Sequence, residues 1–121
     1  MSEEETKESI GRIEIAPEVL TTIVRYTTLE IEGVNKLAPV PADVVRLFRR
    51  AVRDDGILLD YADGRLQFDI YVYMDPHVNM LQTSQQVQAS VIEAIDKMVG
   101  LPVAAVNVHV EDVVYALDET A

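Results

Sequence analysis

Cysteine is absent from this sequence, which excludes disulfides, thiolate metal sites and cysteine nucleophiles, and nothing in it implies an oxidising compartment. Positive charge is scarce: 10 Lys and Arg stand against 21 Asp and Glu, for a net charge of −11. Such a surface repels phosphate backbones and anionic bilayers, so nucleic-acid binding by the whole chain is not expected. Long apolar runs are also missing. No stretch approaches the roughly 20 apolar residues of a membrane-spanning helix, so direct membrane insertion is not expected. The opening Met1 to Ser9 is polar and acidic, unlike the basic and then apolar start of a signal peptide, and a cytoplasmic location is the expectation. Phosphate-cradling glycine loops, dinucleotide fingerprints and nucleophile elbows are lacking.

What is present is apolar material in regular periods. With 121 residues and a hydrophobic fraction of 49%, the chain suits one compact domain. Residues 1–10 read as a charged tail, 11–115 as a single domain and 116–121 as a short polar end. Arg12 to Ile15 alternates like a brief strand. Pro17 suits the first turn of a helix whose apolar face holds Val19, Leu20, Ile23, Val24, Thr27 and Ile31, with Gly33 as its stop.

Asp43 can cap a second, shorter helix reaching Arg53 and ended by Asp54-Asp55-Gly56. Its apolar side is Val44, Leu47, Phe48, Ala51 and Val52, and its other side is Arg46, Arg49, Arg50 and Arg53. Ile57 to Tyr61 is strand-like, Asp63-Gly64 signals a hairpin, and Leu66 to Met74 is the return strand. In that strand Leu66, Phe68, Ile70, Val72 and Met74 oppose Gln67, Asp69, Tyr71 and Tyr73. A long helix from Asn79 to Val99 buries Met80, Val87, Val91, Ala94, Ile95 and Met98. Ala104 to Tyr115 then forms a last strand. Strands apolar on one side only call for helices on one face of a sheet. The fold class is therefore α+β, a two-layer sandwich with a mainly antiparallel sheet. Ferredoxin-like βαββαβ connectivity is one arrangement the order allows.

Two blocks of residues resemble a known family. Gly11-Arg12-Ile13-Glu14-Ile15-Ala16-Pro17-Glu18-Val19, continuing to Glu30-Ile31-Glu32-Gly33-Val34, resembles the opening of the alkaline shock protein family. Val87-Gln88, Val91, Glu93-Ala94, Met98, Gly100-Leu101 and Val106-Asn107-Val108-His109-Val110 are similar to its closing helix and strand. Together they span Gly11 to Val114. The resemblance implies a bacterial envelope or alkaline stress response protein without enzymatic activity. It further implies self-association into a homo-oligomer and recruitment by a small membrane-anchored protein partner. One departure is the segment Asn35 to Asp55, which replaces the family's glycine-rich stretch with the arginine-bearing one.

Two candidate contact surfaces follow from the residues themselves. Arg46, Arg49, Arg50 and Arg53 on one stripe would concentrate positive charge and could take an anion, an acidic protein or nucleic acid. Four such residues contribute about 4 kcal/mol at most at an anionic membrane, so a solvated helix face is the plainer reading. An anion- or nucleic-acid-binding regulator using this face is the alternative function. The second surface is the open side of the sheet, where Tyr71 and Tyr73 would stand near Asn107 and His109. Glu14, Asp69 and Glu111 share that side and repel phosphate, which favours a protein partner. The two histidines, His77 and His109, lack a companion at ligand spacing, so no metal is expected, nor any other cofactor. No catalytic residue is assigned.

Overall fold

The computed structural model describes residues 10–47 and 51–115. Helix α1 spans Pro17–Leu29, strand β1 Val34–Leu37 and helix α2 Ala42–Leu47; β2 is Val52–Asp54, β3 Ile57–Ala62 and β4 Arg65–Met74. Helix α3, Met80–Met98, leads to β5, Val103–Val113.

The sheet is built around β4. Its residues Leu66, Phe68, Ile70, Val72 and Met74 are all buried, as the two-residue period requires. Strand β3 pairs antiparallel with the first part of β4 through a tight turn in which Asp63 (φ 55) and Gly64 (φ 72) both take left-handed backbone. Two positive φ values suit the right-handed twist of the strands. Strand β1 pairs antiparallel with Val72 to Met74, and β5 runs parallel to β4 from Leu66 to Met74. Because β5 overlaps both β3 and β1 along β4, it holds one edge of β4 while β3 and β1 share the other, end to end. The α3 crossover makes the parallel pairing possible. Strand β2 extends the sheet beyond β3.

The two long helices cover one face, as expected. Pro17 occupies the start of α1, where its missing N–H costs nothing, and Leu20, Thr21, Val24 and Thr28 are buried. Asn79 caps α3, its Oδ1 accepting from the Gln82 N–H at 2.9 Å, and Thr83, Val87, Val91 and Ile95 recur every four residues as the buried row. The helix ends before Gly100 (φ 80). At its two ends Met80 and Met98 are exposed rather than buried, Met98 to 69%.

Three sequence expectations are corrected. Arg12 to Ile15 joins no strand among the described residues, and β1 arises instead at Val34–Leu37. Of the βαββαβ pattern, the ββαβ half formed by β3, β4, α3 and β5 is present. The second helix is described over Ala42–Leu47 and does not reach Arg53: Val52–Asp54 is a strand, and Asp55-Gly56 turns it into β3, with Asp55 at φ 54. The two-residue Asp-Gly turn and β-branched Val52 favour a strand at Val52–Asp54 over a helix carried on to Arg53. Finally, the short helix serves the other face of the sheet: Val44 packs against the small cluster of Ala38, Leu58 and Tyr71. Of the tails expected at 1–10 and 116–121, residues 1–9 and 116–121 lie outside the described residues.

Candidate protein-contact face on the sheet

The parallel register of β4 and β5 sets Asp69 beside Asn107 and Tyr71 beside His109. Asp69 is the hub. Its Oδ1 accepts from Asn107 Nδ2 at 3.1 Å and lies 2.9 Å from His109 Nε2. The His109 ring stacks on Tyr71, with centroids 4.3 Å apart and planes 10° from parallel. A carboxylate, an amide and an imidazole are thus held rigidly by two neighbouring strands. Such a polar surface fits directional contacts with another protein.

Tyr71, however, is not an open contact residue. Only 4% of it is exposed, because Ala38, Leu58, Val40, Val44 and Ala51 close over it. Burial foremost, then the charges of Asp69, Glu111 and Asp43, push its phenol above the ordinary value of 10.0. A bulge between Val72 and Tyr73 shifts Tyr73 opposite Asp112, away from His109. The Lys36 ammonium sits 5.4 Å from the Tyr73 ring centroid. The part of the face within reach is therefore Asn107, His109, Glu111 and Tyr73, all partly or fully exposed. Asp69 was legible as a polar strand residue, but its role as hub depends on which strand lies alongside.

The arginine stripe is not assembled as one helical face. Arg46 is exposed on α2, Arg53 lies on β2, and Arg49 and Arg50 fall outside the described residues. Another arginine, not singled out from sequence, is better placed. Arg25 on α1 pairs with Asp54, and its Nε lies 3.4 Å from Asp55 Oδ2. Thr21 Oγ1 donates to Asp54 Oδ2 at 3.0 Å. This cluster ties α1 to the β2–β3 turn and borders a cleft of about 560 Å³ also lined by Lys36, Arg53 and Gly56. Its cation is already spent on two carboxylates, which suits a clamp better than an anion site. A second cleft of about 580 Å³ is apolar, lined by Ile13, Ile15, Leu20, Leu59, Tyr61, Leu66 and Leu101 among others. Glu30, inside the apolar arc on a helical wheel, caps the end of α1 and is exposed. Among the described residues no group of three or more His, Asp or Glu could hold a metal ion. No helix among them is long and apolar enough to cross a membrane.

Comparison with known proteins agrees with the two blocks read from sequence. A profile of the alkaline shock protein 23 family, described as having cell envelope-related function, matches residues 5–115. An uncharacterised protein of Streptococcus pyogenes, Spy1535, is 36% identical over 110 residues, covering 90% of this chain and 84% of its own. The uncharacterised protein YqhY of Bacillus subtilis is 26% identical over 102 residues, covering 84% and 76%. Among solved structures, MamM-CTD 215-293 superposes with a TM-score of 0.49 at 12% identity, over 80% of this chain and 99% of that one. At that level the likeness carries no statement about function.

Proposed function

Because the chain belongs to the alkaline shock protein 23 family, whose function is cell envelope-related, we propose that it is a non-enzymatic, self-associating scaffold that a small membrane-anchored protein recruits to the envelope. The observation that carries this reading is the Asp69–Asn107–His109 array, a polar surface whose side chains are held by hydrogen bonds between two neighbouring strands. Rigid side chains with fixed hydrogen-bonding directions favour recognition of another protein. The surplus of acidic groups keeps the free protein soluble and off anionic lipid, so a protein anchor is needed to hold it at a membrane. The site contacts proposed are Asn107, His109 and Tyr73, with Tyr71 supporting His109 from beneath.

The test is a pull-down from detergent-solubilised native membranes with the purified chain, run beside an Asn107→Ala/His109→Ala variant. Recovery of one small membrane protein by the wild type and its loss with the variant is the expected result. Equal recovery by both moves the contact elsewhere, and recovery of no membrane protein removes the recruitment. The anion-binding alternative loses its single helical stripe, since Arg46 and Arg53 sit on different elements.

A further inference from the structure

The edge of the sheet formed by β5 is unfinished. Among the described residues β5 pairs with β4 alone, leaving its other edge without a strand. At one point that edge is met by a side chain: Gln88 Nε2 on α3 donates to the Val106 carbonyl at 2.9 Å. Gln88 thereby identifies the side of α3 that overhangs this edge. Leu81 and Ile92, seven residues before and four after it, lie on the same side. Leu81 is 71% exposed and Ile92 43%. Val108 and Val110, on the strand below, are only half-buried. Backbone polar groups and apolar side chains are uncovered together, as at an edge that lacks its last strand.

The same chain carries a strand without a sheet. Arg12-Ile13-Glu14-Ile15 alternates charged and apolar side chains as a strand does, and among the described residues it pairs with no strand. Ile13 is 91% exposed. This segment borders the apolar cleft beside Val52, Leu59 and Tyr61, on the β3 side of β4, whereas β5 lies on the opposite edge. Its own β5 is therefore across the sheet.

We propose that Arg12 to Ile15 of one copy adds as a strand to the free β5 edge of a second copy. This deepens the self-association part of the function above and rests on it. Ile13 and Ile15 then cover Ile92, Leu81, Val108 and Val110, while Arg12 and Glu14 fall on the polar side. There Arg12 meets Glu111 and Asp112, an opposite-charge arrangement, and Glu14 meets the His109 imidazole, a hydrogen-bonding partner. The Arg12–Glu14 pair at 3.4 Å is fully exposed in the single chain and exchanges at little cost.

Sedimentation velocity across a concentration series of the whole protein, with Ile13→Asp alongside, tests this. Ile13 is too exposed for the change to unfold the domain, which circular dichroism checks. Association should weaken about tenfold or more, the worth of one buried isoleucine. Since the sequence has no cysteine, Arg12→Cys and Glu111→Cys chains mixed under mild oxidation should give a disulfide between unlike chains. An oligomer indifferent to Ile13→Asp, or disulfides only between like chains, overturns strand addition and leaves self-association standing. A strict monomer overturns both, while the membrane pull-down reports on recruitment separately.

Discussion

Tyr71 illustrates how a residue's chemistry depends on what closes over it. Its ring stacks on His109 and its phenol is buried beneath the short helix, in a setting already acidic from Asp69, Glu111 and Asp43. Both burial and charge favour the protonated form, so the folded chain holds this proton more tightly than the unfolded one. Its contribution to stability is complete below about pH 10 and declines as pH rises past that value toward the raised one. Denaturant unfolding of Tyr71→Phe should accordingly show a shallower alkaline loss than the wild type; parallel curves would contradict this. Asp69 is the other residue with leverage. Removing it in Asp69→Ala leaves Asn107 and His109 without their shared acceptor in a half-buried setting, and should cost about 1–3 kcal/mol in chemical denaturation. The Asp69 network and the Arg25–Asp54 clamp both join residues more than 25 positions apart, so neither shows as a spacing motif.

At the scale of elements, the junction at Gly56 decides how three strands meet. The Ala38 N–H donates to the Tyr71 carbonyl at 2.7 Å, and the Tyr71 N–H donates to the Gly56 carbonyl at 2.8 Å. A Cβ on Gly56 would stand 2.3 Å from the Ala38 carbonyl oxygen and 2.8 Å from that of Tyr71, both backbone atoms with no room to yield. Gly56→Ala should therefore destabilise by about 3 kcal/mol, the upper end of overpacking costs. Gly64→Ala meets no neighbour and carries only the strain of its positive φ, about 1 kcal/mol. Thermal unfolding of the two variants separates crowding from backbone strain, and equal losses would refute the distinction. Helices α1 and α3 and the hairpin β3–β4 were legible because each has a full period and a signal residue of its own: Pro17 in the first turn, the Asn79 cap, and the Asp63-Gly64 turn. The segment 34–55 was not, since its short elements draw their stability from β4 and Tyr71 rather than from their own pattern.

For the whole molecule, charge opposes contact between copies. Each carries a net −11, and bringing two together raises repulsion that salt screens over roughly 8 Å at physiological ionic strength. Self-association through a largely apolar strand edge should strengthen when salt is raised. Sedimentation at low and high ionic strength measures this, and weaker association in high salt would point to ion pairs as the main attraction instead.

The local pattern of side chains was enough to settle the fold class, the long helices, the central strand and its two faces, and the two family blocks. Each of these follows from a period or a turn preference acting within some twenty residues. Only the tertiary structure decided that β5 lies parallel to β4, which gathers Asn107 and His109 around Asp69, that Tyr71 is covered, and that Arg12 to Ile15 stands outside the sheet, across it from the outer edge of β5. Those outcomes depend on which distant segments compete for the same strand edge and the same apolar surface, and no local period records that competition.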